Sequence, residues 1–236
     1  MPCATTRIGA LFPAHYSMKL DSNAQYIYNL IAQGEHVRQD FKYEISDARK
    51  IARSVSAFAN TEGGRLLVGV KDNGKIAGVR SEEEIYMIEA AARVYCSPEV
   101  AIECRIYKIE GKDVLEAVIP QCGAKPVCAI DEQNRRRAYV RIADENILAT
   151  PVHLDIWRRT NSSGDTMITY DDSVRSLLAI IDSHPLISLN RCCRLSGMPR
   201  RKVCALIADF IRFSLVEQVW EDRKFLYRTK NAPTEP

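Results

Sequence analysis

The chain is 236 residues long, 46% hydrophobic and 27% charged, with a formal net charge of +3 and a pI of ≈ 8.4. Those proportions allow a buried core and exclude a wholly disordered chain, a collagen-like repeat and a low-complexity polymer. The slight basic excess permits a nucleic-acid partner without demanding one.

Residues 1–20 read as a disordered lead-in, because Pro13 and His15 interrupt the one short apolar stretch. Asp21-Ser22-Asn23 then offers capping oxygens before Tyr26, Ile27, Leu30 and Ile31, and Gly34 closes that helix. A short strand is expected around Val37 to Tyr43. Ser46 or Asp47 starts a second helix with Ile51, Val55 and Phe58 on one face, stopped by Asn60-Thr61-Glu62-Gly63-Gly64. Leu66 to Val70 reads as a buried strand, and Asp72-Asn73-Gly74 as a type I′ hairpin turn. Ser81 caps a helix running to Tyr95, with Glu84 as its capping-box partner. Strands around Ala101–Ile109 and Val114–Ile119 flank a second hairpin at Glu110-Gly111-Lys112. A strand at Ala138–Ile142 and a helix ending near Trp157 complete an α+β domain over 21–159.

Residues 160–169 are polar and turn-rich, which suits a linker. From Tyr170 the pattern becomes helical, first over Val174, Leu177, Leu178 and Ile181, then over Leu189 to Leu195. Gly197 turns the chain and Pro199 suits the first position of a third helix. Its stripe is Val203, Leu206, Ile207, Phe210 and Ile211. Two strands, Val216–Trp220 and Phe225–Thr229, follow. Three helices and a hairpin form the winged variant of the helix-turn-helix over 170–230, leaving 231–236 as a tail. Arg191, Arg194, Arg200, Arg201, Lys202 and Arg212 meet only Asp209 in this stretch. Arg200, Arg201 and Lys202 stand at the start of the recognition helix, where phosphates and base edges are met. Arg223, Lys224 and Arg228 add charge on the wing, diluted by Glu221 and Asp222. The competing reading is a protein-interaction module with basic faces.

The eight cysteines include no CxxC pair, so a reducing, cytoplasmic setting is expected rather than a disulfide framework. Cys122, Cys128 and His153 match no common zinc spacing. No apolar run approaches the roughly 18 residues of a membrane span, so no membrane partner is expected.

Three segments carry a resemblance: Gly34-Glu35-His36-Val37-Arg38-Gln39-Asp40-Phe41-Lys42, Ala57-Phe58-Ala59-Asn60-Thr61-Glu62-Gly63-Gly64 and Val68-Gly69-Val70-Lys71-Asp72-Asn73-Gly74. In order and spacing they resemble the Schlafen Alba-type domain, and Tyr139-Val140-Arg141-Ile142 is similar to that family's late strand. The resemblance implies an Alba-like mixed sheet with helices and a DNA partner, with RNA as the other polyanion. Bacterial members with a winged C-terminus are described as transcriptional regulators. Lys42 of the first motif thus joins Arg194, Arg200, Arg201, Lys202, Arg223 and Lys224 as expected nucleic-acid contacts. Schlafen cores pack two lobes and this chain has one, so a homodimer is expected.

The nuclease members of the family imply the alternative, an endoribonuclease. Glu35, Asp40 and Asp72 match their three carboxylates and would hold Mg²⁺ or Mn²⁺. Asp40 departs from the usual glutamate and is a methylene shorter. No other cofactor is expected, and a binding protein is favoured over an enzyme. The AFANTEGG run reads mainly as helix-stop and strand-entry geometry. Its competing reading is a nest of amides for a phosphate. No GxxxxGK[ST] loop supports an ATPase.

Overall fold

A computed structural model describes residues 22–161 and 170–230. The expected lead-in, most of the linker and the tail lie outside these residues. Helix α1 (Ser22–Ala32) buries Ala24, Ile27 and Leu30, and Gly34 follows in the left-handed region at φ 69. Strand β1 (Gln39–Lys42) runs parallel to β2 (Gly64–Val68), with α2 (Ala48–Asn60) as the crossover between them. Asp47 caps α2 by accepting from the Arg49 amide at 2.8 Å.

Two antiparallel strands, β4 (Glu103–Ile109) and β5 (Lys112–Ile119), extend the first sheet to the order β1-β2-β5-β4. Its two faces are covered separately. Leu66 and Val68 point into the cluster around α2 and α3 (Glu83–Arg93), and Leu67 points into the cluster under α1. That is the two-residue period of a strand buried on both sides. A second sheet holds β3 (Cys96–Ser97), β6 (Cys128–Ile130), β7 (Arg136–Ile142) and β8 (Glu145–Leu148) in that order. Helix α2 lies between the two sheets, and every residue from Ser54 to Asn60 is buried. The one-sided stripe expected for α2 therefore understates its burial.

Three local expectations are corrected. The Asn73-Gly74 turn is not type I′: Gly74 alone has positive φ, and its amide donates to the Lys71 carbonyl at 2.7 Å. The type I′ pair is Glu110 and Gly111, at φ 51 and 77, because strands β4 and β5 pair directly up to that loop. Glu84 does not close a capping box with Ser81. Its buried carboxylate accepts from the amides of Ile45 at 2.9 Å and Arg80 at 2.8 Å, tying α3 to the loop ahead of α2.

Helix α4 (Pro151–Asn161) continues beyond Trp157 and takes in Thr160 and Asn161. After it come α5 (Asp172–Asp182), β9 (Ile187–Ser188), α6 (Leu189–Ser196), α7 (Arg200–Arg212), β10 (Val216–Glu221) and β11 (Lys224–Thr229). Asp171 and Ser188 cap α5 and α6, and Gly197 ends α6 at φ 64. Pro199 is the cap of α7 rather than its first residue, with ψ 138. Strands β10, β11 and β9 form a sheet in that order, although β9 itself is too short to be legible as a strand. Val174, Leu177, Ile181, Cys192, Val203, Ile207 and Phe210 share one buried cluster, and Val152 of α4 belongs to it. Helix α4 thus joins the Alba-like part to the C-terminal part.

Candidate nucleic-acid interface

Helix α7 turns Val203, Ile207 and Phe210 inward at the spacing of one helical face. Its middle and end are also covered by α4. Arg159 donates to both Asp209 carboxylate oxygens, at 3.0 and 2.8 Å, and Arg212 approaches the same carboxylate at 3.4 Å. Asp209 therefore opposes no phosphate: it is buried and held by two guanidinium groups. Arg212, part of the basic run in the sequence, is occupied there.

The first turn of α7 stays open. Arg200, Arg201 and Lys202 are exposed, as are Arg191 and Arg194 on α6. Arg200 donates to the Asn190 side chain and Lys202 to the Ser173 hydroxyl, which holds both without neutralising them. A groove of ≈ 640 Å³ lies beside this turn, lined by Arg200 and Arg201 from α7 and by Arg158, Asp155 and Leu154 from α4. Asp155 pairs with Arg158 at 2.5 Å. Sequence reasoning missed Arg158, since its only signal was a basic pair at the end of a helix assigned to the other domain.

The C-terminal hairpin is less available. Asp222 and Arg223 form a two-residue loop at φ 49 and 57, so the hairpin tip is short. Arg223 pairs with Glu145 of β8 at 3.4 Å and Lys224 with Asp222 at 3.7 Å; both cations remain exposed. Arg228 is held by Glu217 at 2.5 Å. Phe225 meets His153 of α4 edge-on at 4.8 Å, and Trp220 packs on Phe225 at 4.6 Å. Burial lowers the His153 pKa to about 4, so this ring is neutral near pH 7. The hairpin is docked on α4 and β7 rather than projecting.

Lys42 is a counter-ion rather than an open contact. Its ammonium lies 2.6 Å from Asp40, and it donates to the Phe41 carbonyl. Asp40, expected as a metal-binding carboxylate under the nuclease alternative, is buried, with Arg141 of β7 at 3.2 Å. Arg141 is itself buried and also donates to the Gln39 carbonyl and to Asn146, and it stacks over Phe58 at 5.0 Å. This one guanidinium links the two sheets across the end of α2.

The three carboxylates do not form a metal centre. Glu35 accepts from the Phe41 amide at 2.8 Å, and its pKa is raised by burial and by a hydrogen bond with Asp40. Asp40 is already neutralised by two fixed cations. Asp72 is exposed in its own turn. Among the described residues, no three His, Cys, Asp or Glu side chains come together as metal ligands, which also sets aside Cys122, Cys128 and His153. Glu35 and Asp40 are brought together, but Asp72 is not grouped with them, so the three carboxylates are not assembled around one Mg²⁺ or Mn²⁺ position.

The phosphate nest at AFANTEGG is likewise closed. The amides of Thr61 and Gly63 both donate to the Phe58 carbonyl. A Cβ at Gly64 would lie 2.4 Å from the Phe58 ring, so the inner side of this turn is filled by protein. Asn60 bonds nearby peptides instead. Its amide group donates to the carbonyls of Val127 at 2.8 Å and Tyr139 at 2.9 Å, and its oxygen accepts from the Val127 amide at 2.8 Å. The seven described cysteines are free thiols, and no described helix is long and apolar enough to cross a membrane.

Residues 35–150 match the family described as Schlafen, AlbA_2. No curated protein matches the chain. Among solved structures, the DIP2311 protein from Corynebacterium diphtheriae is 20% identical with a TM-score of 0.44, over 86% of this chain and 38% of that one. The N-terminal domain of a RecG-related protein from Nitrosomonas europaea is 17% identical with a TM-score of 0.37, over 64% of this chain and 97% of that one. The chain therefore spans 38% of the length of the first of these. The matched segment contains all three motif runs except Gly34, the two sheets and the Arg141 link between them. Residues 35–150 are thus the part of the chain that is similar to the Schlafen, AlbA_2 family.

Proposed function

We propose that this protein binds nucleic acid, with duplex DNA as its target and control of transcription as its role. The observation that carries the reading is the open first turn of α7, where Arg200, Arg201 and Lys202 are exposed and Arg158 shares a groove with the first two. Clustered guanidinium groups suit bidentate phosphate contacts, and their release of counter-ions drives binding. The segment 170–230 supports the winged helix-turn-helix reading through its order of helix, strand, two helices and hairpin. The binding mode is narrower than that motif implies. With α4 against the middle of α7, contact falls to the first turn and to the groove edge, which favours backbone grip over deep insertion in the major groove.

The test is fluorescence anisotropy of a labelled duplex against full-length protein across a salt series. Each phosphate contact contributes a slope of about −0.9 in log K against log salt. Replacing Arg200, Arg201 and Lys202 by Ala should therefore flatten the slope by about 2 to 3 and weaken binding at low salt. An unchanged slope in a folded triple variant rejects the assignment. The proposal includes a homodimer that presents two such turns to one duplex; a monomer by light scattering at micromolar concentration removes that part.

A further inference from the structure

A second crevice lies on the opposite side of α4 from the basic groove, between β7, the end of α2 and the docked hairpin. It measures ≈ 470 Å³, which is within the size range of small-ligand sites. Its walls are aromatic: His153 and Trp157 come from α4, Trp220 and Phe225 from the hairpin. His153 lies 5.9 Å from Trp157 and 4.8 Å from Phe225, so the rings form one connected surface.

Two hydrogen-bond donors at this crevice have no acceptor. Arg141 Nε and Gln218 Nε2 are both buried and unpartnered, and both residues line the space. The other nitrogens of Arg141 are committed to Asn146, Gln39 and Asp40. A buried donor without a partner costs about 1–3 kcal/mol, so two at one opening represent a standing demand for acceptors. The two cations Arg141 and Lys42 are met by two carboxyl groups, Asp40 at 3.2 and 2.6 Å and its hydrogen-bonded neighbour Glu35. Nothing at the opening then calls for a charged ligand. Stacking walls ask for a flat π-system.

We infer that this crevice binds a flat, uncharged heteroaromatic ring carrying hydrogen-bond acceptors along one edge, with Arg141 Nε and Gln218 Nε2 as the donors to it. A nucleobase has this chemistry; guanine, for example, presents O6 and N7 side by side. The ring could be supplied as a free nucleoside or as an unstacked base of a single strand, and the two sources share the same contacts. The site is separate from the phosphate-gripping turn and stands without it.

The chain has two tryptophans, and both line the crevice, so intrinsic fluorescence reads occupancy directly. Full-length protein is titrated with guanosine, with 7-deazaguanosine, which lacks one acceptor, and with ribose as a non-aromatic control. Saturable quenching by guanosine is expected, weakened about fivefold for 7-deazaguanosine, the effect of one lost hydrogen bond. Gln218→Leu should weaken guanosine by a similar factor while leaving duplex-DNA affinity unchanged, which separates this site from the first. Displacement of guanosine by a single-stranded oligonucleotide assigns the source to a polymer, and its failure assigns it to a free small molecule. No saturable quenching by guanosine, adenosine or cytidine at millimolar concentration overturns the inference, as does equal affinity for guanosine and 7-deazaguanosine. The deaza comparison holds even if the Gln218 variant fails to fold.

Discussion

Arg141 and Asp40 illustrate how a family motif acquires its physical meaning only in three dimensions. Their side chains are 1% and 5% exposed and lie 3.2 Å apart. Removing one member of a buried pair leaves the other uncompensated, at about 3–5 kcal/mol. Arg141→Met should therefore lower the thermal midpoint markedly, and Arg141→Met combined with Asp40→Leu should recover part of the loss, read by thermal unfolding. Asn60→Ala removes the partners of three buried peptide groups, and each unmet group costs about 1–3 kcal/mol. His153 sets a pH dependence. Its folded pKa of about 4 lies below the ordinary 6.5, so the unfolded chain binds the extra proton between those values. Stability should then fall as pH drops from about 6.5 towards 4. In denaturant titrations across that window, His153→Phe should show a shallower fall than the parent protein.

At the scale of elements, close approach matters more than propensity. Gly64 does not need positive φ, yet a methyl group there would meet the Phe58 ring at 2.4 Å and the Arg38 carbonyl at 2.8 Å. Gly64→Ala should destabilise by about 1–3 kcal/mol, the usual result of overpacking a full site, measured by urea unfolding. The helix starts at Asp47, Asp171 and Ser188 were within reach of sequence, because an Asx or Ser side chain before an apolar period is a local signal. The turns were not. Asn73-Gly74 suits a type I′ turn, but the ladder beside it has only one bridge, Val70 with Ile76, and the chain takes a different turn. Glu110-Gly111 adopts type I′ because a seven-pair ladder from Glu103 to Lys112 imposes it.

For the whole molecule, α4 decides what the C-terminal part can do. One face of it joins the α7 cluster through Val152, and Trp157 packs in a separate cluster with Val140 of β7. Arg159 closes on Asp209 with side-chain exposures of 32% and 12%. Asp209→Ala should cost about 1–2 kcal/mol, discounted for the exposed side of the pair. If α4 limits access to α7, the same change should also raise duplex affinity in the anisotropy assay rather than lower it.

The order of the helices and longer strands, the α+β class, the family resemblance and the basic turn at Arg200–Lys202 were legible in the sequence, whereas the short strands β3, β6, β8 and β9 were not. Periodicity, caps and motif spacing are local or nearly local properties of the chain. The fate of the charges was decided only in three dimensions. Asp40, read as a ligand, became the partner both of Lys42, read as a contact, and of Arg141 from 101 residues away. The same holds for Asp209 with Arg159, and for the crevice where Arg141 and Gln218 meet. Which opposite charge a side chain finds depends on long-range packing, and no spacing along the chain encodes it.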